Sequence, residues 1–286
     1  MMNMSPRAFL LCLLMTISPM VARGQIAASA PEIVRIAPNI VMETLRKQAP
    51  LALKTVTNPP GVNFHTLSWK PPKLGKVLID QGEKSIEVPH VRSLQGADDR
   101  WFPEENITSW NIIADVSAMP QISDDQARKT VYAFLRDIAT KGWTPLIDGD
   151  DPRLTGKERF DYVIHQSSAS NLNVDYEPTL QEWMALEDMS HWSFQGNDAF
   201  LTVSMRRGKE KADAKQPHVY LLLIALTGRN EHFRAYVAPK DRLRWRSLLP
   251  AALKQLENQR AANEAAAIAR GMEIDRKYRD PVAPLP

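Results

Sequence analysis

The chain has 286 residues, of which 44% are apolar and 24% charged, with a formal net charge of +3. That length supports one large domain or two small ones with a real core, and the balance excludes wholesale disorder. A charge so near zero gives no support to a nucleic acid as partner.

The N-terminus is the most specific signal. Arg7 supplies a positive start, Ala8 to Ile17 a short apolar run, and Ala22-Arg23-Gly24 the small residues read at a cleavage site. Together they predict a signal peptide over residues 1–24 and a mature start at Gln25; cleavage after Ala28 or Ala30 fits the same rule. The apolar run is shorter than the roughly 20 residues that a membrane-spanning helix needs. Residues 1–24 hold Arg7 and Arg23 and no acid, which leaves 34 basic against 33 acidic residues, a net charge of +1. The single cysteine, Cys12, leaves with the signal, so the mature chain has no disulfide, cysteine–zinc site or cysteine nucleophile. Leu10 and Leu11 before Cys12 do not form a lipoprotein cleavage box. The expectation is an exported protein, periplasmic and not transmembrane once the signal is removed.

Residues 25–105 predict an N-terminal lobe, or else edge strands added to the main domain. Ile36, Ile40, Val41 and Leu45 fit a short helix after Pro38, which Pro50 ends. Asn63 to Trp69, between Pro59-Pro60 and Pro71-Pro72, reads as an extended segment. Lys76–Asp80 and Ser85–Val88 about Gln81-Gly82 read as a β-hairpin.

Residues 106–286 predict the main domain. Trp110, Ile112, Ala114 and Val116 fall on one face of a strand. Ser123-Asp-Asp-Gln126 is a capping box, and Ala127, Val131, Phe134, Leu135 and Ile138 make the buried stripe of the helix it opens, with Gly142 as terminator. Trp143–Ile147 and Phe160–Ile164 read as strands. Thr179-Leu-Gln-Glu182 is a second capping box, for a helix with Leu180, Trp183 and Met184 on a common face. Ala199–Met205 alternates as a strand does. Val219–Leu226 is the longest apolar run outside the N-terminus and predicts a strand covered on both faces. Arg- and Lys-rich residues 206–217 join these two strands, and Phe233–Val237 reads as another strand. The rest is helical: Asp241 caps a first segment, Pro250 kinks or restarts it, Gly271 ends it, and Ile274 and Tyr278 dock the tail. The fold class is therefore α+β, a mostly antiparallel sheet packed against helices, with a long C-terminal helical segment.

Catalytic motifs do not appear. The chain has no Gly-x-Ser-x-Gly elbow, His-Glu-x-x-His helix, phosphate loop or dinucleotide fingerprint. Asp148, Asp150 and Asp151 open like a calcium loop, but the later spacing of acids and glycine does not follow it, so an acidic recognition loop, with Arg153 beside it, or an ordinary solvated turn is the better reading. Glu187, Asp188 and His191 form a polar turn with no third metal ligand in view. No metal, cofactor or catalytic residue is expected. Trp183 and Trp192 flank that turn and are the first candidates for partner anchors, because tryptophan and arginine dominate interface hot spots.

Three segments carry a resemblance: Asp151-Pro-Arg-Leu-Thr-Gly156, Tyr176-Glu-Pro-Thr-Leu-Gln-Glu-Trp-Met184 leading to Trp192, and Ile274-Asp-Arg-Lys-Tyr-Arg-Asp-Pro281. They resemble exported immunity proteins encoded beside phospholipase effectors of bacterial type VI secretion systems, over about residues 100–281. The resemblance implies a protein that binds a cognate toxin and blocks it sterically, with no activity of its own. The missing lipoprotein box departs from many members of that group. The other readings left open are an exported hydrolase without a recognisable motif and a cell-envelope assembly component.

Overall fold

The computed structural model describes residues 32–50, 52–58, 61–166, 171–208 and 217–284. The expected signal peptide, and Lys209, Lys211 and Lys215 of the basic connection, lie outside the described residues. The fold is α+β, built on one mostly antiparallel ten-stranded sheet. Its strands are β1 (Ile33–Ile36), β2 (Lys54–Asn58), β3 (Val62–Ser68), β4 (Gly75–Ile79), β5 (Ile86–Asp99), β6 (Ile107–Asp115), β7 (Thr144–Pro145), β8 (His191–Gln195), β9 (Ala199–Arg207) and β10 (Tyr220–Gly228). The path runs β1-β4-β5-β6-β10-β9-β8-β7, and the β2–β3 hairpin joins through β5. The 14-residue β5 ties the two parts of the chain together. Its first half pairs with β4 (Ile79 opposite Ile86) and its second half with β3 (Leu67 opposite Leu94), while β6 lies along its other edge.

The inner face of the sheet carries the main core. Trp110, Ile112 and Ala114 of β6, Leu222, Ile224 and Leu226 of β10, and Leu201, Val203 and Met205 of β9 are all buried there. After the short α1 (Met42–Gln48), three helices supply the opposite wall: α2 (Asp124–Thr140), α3 (Gly156–Gln166) and α4 (Leu180–Ala185). The stripe on α2 is Ala127, Val131, Leu135 and Ile138, spaced by the helical period, with Tyr132 beside it. The Ser123 hydroxyl accepts from the Gln126 amide, and Thr179 with Glu182 closes a complete capping box at α4. Gly142 (φ +87°) and Gly271 (φ +84°) stop α2 and the last helix in the left-handed region that glycine enters without strain.

A smaller core forms on the outer face. Phe200 points there, between inward Ala199 and Leu201, and meets Phe233 of α5 (Arg229–Arg234) and Trp245 and Leu249 of α6 (Trp245–Ala269). His232 stacks on Phe200 with ring centroids 3.5 Å apart. Burial lowers its imidazole from about 6.5 to about 3. A depressed folded value means that this stabilisation is complete above about pH 6.5 and is lost as pH falls toward 3. Because His232 is only half-buried, the expected loss by pH 4 is about 1–3 kcal/mol rather than the full shift. His232→Phe keeps the stack and is expected to flatten the melting temperature between pH 6.5 and 4; an unchanged slope would place the acid sensitivity elsewhere.

Several expectations are corrected. Phe160–Ile164 lies inside α3, with Arg159, Phe160 and Val163 turned inward at helical spacing; a five-residue apolar run does not distinguish the two periods. Phe233 likewise belongs to helix α5, and of Trp143–Ile147 only Thr144 and Pro145 pair as a strand. A 3-10 turn (Pro239–Arg244) precedes α6, which runs unbroken through Pro250. Leu180 lies 43% exposed while Trp183 on the same helix is buried. The most consequential correction is β10, whose inner residues are buried but whose outer Leu221, Leu223 and Ala225 stay partly open.

Candidate partner-binding surface

Trp183 and Trp192, expected as partner anchors, are 0% exposed. Both rings meet Tyr132 edge-on, with centroids 6.4 and 5.6 Å away, and Trp183 also meets Tyr220 at 6.2 Å. This aromatic cluster joins α2, α4, β8 and β10 into one core. Next to it, Tyr220 donates to Asp124 (2.5 Å) and accepts from Arg207 (2.9 Å), whose guanidinium also caps the Trp183 and Met184 carbonyls. These tryptophans therefore hold the sheet and its helices together.

The acidic loop has a structural task as well. Asp151 is buried in an ion pair with Arg159 (2.6 Å). The Asp148 and Asp151 carbonyls accept from Arg260 (2.9 and 3.0 Å), the Asp150 carbonyl from Asn263 (2.7 Å), and Arg153 pairs through two nitrogens with Glu264 (2.6 and 2.8 Å). The Arg153 guanidinium holds the Glu264 carboxyl below the usual range. The loop is thus the seat of α6, and Arg260 goes on to clamp Asp280 of the tail. Tyr278 completes the latch: its hydroxyl accepts from the Ile147 amide (2.9 Å) and donates to the Ile147 carbonyl (3.2 Å).

The Glu187–His191 turn sits differently. The Glu187 carbonyl accepts from the Ser190 amide (3.1 Å) and hydroxyl (2.8 Å). Asp188 accepts from the Arg207 amide (3.2 Å) and faces Arg206 (3.4 Å), and His191 opens β8 opposite Ser204. Asp188 and His191 thereby reach the border of the open outer face of the sheet, which the sequence did not single out.

Strand register assembles this face in rows. One row is Ser93, Ile113, Leu223, Ser204 and His191, across β5, β6, β10, β9 and β8. The next is Thr66, Gln95, Asn111, Ala225, Thr202 and Ser193, stitched by side-chain bonds from Gln95 to Thr66 (3.3 Å) and between Ser193 and Thr202 (3.0 Å). From β3 to β8 neither row holds a Lys, Arg, Asp or Glu; the second ends at Lys54 of β2, opposite Thr66. Leu221 lies beyond the first row, between Asp115 and Arg206, and there charge returns: Arg92 binds Asp115 (2.7 Å) and Arg206 faces Asp188. At the opposite end Phe200 and α5 cover the sheet. Ile113 is 37% exposed, and Ile113, Leu221 and Leu223 pack into neither buried cluster. An uncharged centre with a charged border, on side chains fixed by strand pairing, is the composition of a protein-binding surface.

Among the described residues no three His, Cys, Asp or Glu side chains come close enough to hold a metal ion, and no helix is long and apolar enough to cross a membrane. A cleft of about 410 Å³ at one end of the sheet is lined by Pro38, Asn39, Gln81, Asp198, Arg229 and Asn230; its one acid is paired with its one base. A chain of Thr55, His65 and Asp98 (3.0 and 2.5 Å) has the connectivity of nucleophile, base and acid. It continues through Asn63 to Thr57 as a cross-strand polar ladder, apart from that cleft. No protein-family model, curated protein or solved structure matches this chain.

Proposed function

We propose that this chain is a periplasmic immunity protein, exported by residues 1–24, that binds a secreted bacterial toxin and blocks it sterically. The observation that carries the reading is the open outer face: one side of the central sheet is left without a helix over its uncharged rows, although the strand at its centre is apolar on both sides. Leaving Leu221, Leu223 and Ile113 uncovered forgoes hydrophobic stabilisation in the monomer and keeps it for a partner. The strands hold these side chains in place before binding, so little ordering entropy opposes association. The three segments that resemble immunity proteins point to a phospholipase effector as the toxin. Two of them, at Asp151–Gly156 and Ile274–Pro281, meet through Arg153, whose carbonyl accepts from the Asp275 amide (2.7 Å), so they account for scaffold rather than for the binding face.

The test sets the purified mature protein against a phospholipase encoded beside its gene, and a gene neighbourhood that holds none would count against the reading. Nanomolar inhibition is expected, and Ile113→Asp with Leu223→Asp is expected to weaken it at least 100-fold, about 2 kcal/mol or more from each hot-spot position. The melting temperature of the variant is measured alongside, so that misfolding is not counted as lost binding. Inhibition retained at full strength by the variant would move the partner off this face. A neighbouring phospholipase that is neither bound nor inhibited would overturn the immunity reading, and self-association abolished by the same variant would favour an envelope assembly role.

A further inference from the structure

The sheet ends at β1, β7 and β2, and only the last of these ends is left open. At β1 a side chain stands in for a neighbouring strand: Gln48 donates to the Arg35 carbonyl (2.9 Å) and accepts from its amide (2.8 Å). At the far end β7 is two residues long and closes on Pro145, while the Leu146 and Leu172 amides donate to the Ser193 and His191 carbonyls of β8 (2.8 and 2.7 Å). β2 has no such cover. It is five residues long without proline, Lys54, Thr55, Val56 and Thr57 are all exposed, and it pairs on one side only, with β3.

The bonding of β3 fixes which groups of β2 face outward. The Gly61 carbonyl accepts from the Arg100 amide (3.0 Å) and the Trp69 amide donates to the Arg92 carbonyl (2.8 Å), one at each end of β3. Alternate residues of a strand turn their backbone groups to opposite edges. Asn63, His65 and Leu67 therefore bond toward β5, and Val62, Phe64 and Thr66 toward β2. Register then sets Asn58, Val56 and Lys54 against β3 and leaves the N–H and C=O groups of Thr55 and Thr57 at the open edge. Among the described residues nothing bonds to them.

This edge complements itself. When a strand pairs antiparallel with a second copy of itself, a two-fold axis passes one residue. With the axis at Val56, Thr55 falls opposite Thr57 of the second copy, and their outward groups exchange hydrogen bonds. Lys54, the one charge on β2, falls opposite Asn58, so no like charges meet. Val56, 60% exposed, meets Val56 of the second copy at the closely spaced, non-hydrogen-bonded position. An axis at Thr55 or Thr57 would instead set Val56 against Lys54 or Asn58. Val56, Phe64 and Ala97 form one row on the outer side of the sheet, and Val56 and Phe64 pack into neither buried cluster. Pairing about Val56 joins the rows of the two copies end to end.

We propose that the chain forms a two-fold dimer by antiparallel pairing of β2 with β2 of a second copy, centred on Val56. The axis stands perpendicular to the sheet, so the open outer faces of both copies lie side by side and look the same way. The pairing does not depend on what those faces bind.

Five paired residues make a small interface, so the association is weak. Sedimentation of the mature protein is expected to give a weight-average mass that rises from one chain toward two between about 1 and 100 μM. Val56→Lys sets two ammonium groups at the axis and is expected to hold the mass at one chain throughout. Ile113→Asp is expected to leave the rise intact. The single cysteine, Cys12, lies in residues 1–24, so a cysteine introduced into residues 25–286 is the only thiol. Under mild oxidation Val56→Cys is expected to cross-link into dimers at least tenfold faster than Lys54→Cys, whose two copies lie beyond disulfide reach in this register. Both residues are exposed, and melting temperatures check that the variants fold. A mass of one chain at every concentration, a dimer that survives Val56→Lys or is lost on Ile113→Asp, or equal cross-linking of the two cysteine variants would overturn the proposal.

Discussion

Replacing Asp151 by alanine is expected to lower the melting temperature by about 10 °C, from about 3–5 kcal/mol lost when one member of a buried ion pair is removed. The Arg159 guanidinium is 1% exposed and has three kinds of contact. Nη2 donates to Asp151 (2.6 Å) and to the Asn171 side chain (3.3 Å), Nε donates to the Asn171 carbonyl (2.6 Å), and Nη1 is buried with no hydrogen-bond partner. Losing the carboxylate leaves a full positive charge in a low-dielectric site with only neutral acceptors. Arg159→Met is expected to be as harmful, because it takes the compensating cation away from the buried Asp151 carboxylate. The double variant is the decisive measurement. Without either charge it is expected to recover at least 2 kcal/mol of the summed single losses, since neither ion is left uncompensated. Single variants within about 1 kcal/mol of the parent, or strictly additive losses, would show that water or a shifted backbone already satisfies the site.

That ion pair also explains why the site was misread from the sequence. Asp148, Asp150 and Asp151 look like surface acids because the partners that hold their loop lie far along the chain. Their carbonyls meet Arg260 and Asn263 more than 100 residues later, and Asp151 meets an arginine one helix away. Long-range pairing leaves no periodic trace. The same is true of Trp183 and Trp192. Tryptophan is common both in cores and at interfaces, and only the packing of Tyr132 between them decides for the core.

Elements with a strong internal period were readable. The α2 stripe, its serine cap, the Thr179 box, the β4–β5 hairpin and the inner row of β6 follow from side-chain spacing alone. Short apolar runs were not, as α3 and α5 show, because five residues fit either period. The open sheet face was hidden for a further reason. Alternation in β10 is masked by leucines on both sides, so the run reads as doubly covered. The signal that exposes the error lies on its neighbours: Ser109, Asn111, Ser204 and Thr202 alternate with apolar residues in β6 and β9, which a doubly covered sheet would not allow. Reading strands as a set rather than singly would have found the face.

Arg234→Met is expected to produce a loss of similar size, about 3–5 kcal/mol, for a related reason. Arg234 and Glu105 are both buried, and one guanidinium nitrogen, Nη2, meets both Glu105 oxygens while the other, Nη1, binds Glu231. Removing the arginine leaves Glu105 with the Asn230 side chain as its remaining hydrogen-bond donor (2.9 Å) and takes away the cation lying on Phe102. Lysine keeps the charge but neither the fork nor the flat stacking surface, so Arg234→Lys is expected to recover less than half of the loss. Melting temperatures of the parent, Arg234→Met and Arg234→Lys at one pH check both statements: a methionine variant within about 1 kcal/mol of the parent, or a lysine variant as stable as the parent, would show that the pairing of Arg234 with Glu105 contributes little to the fold.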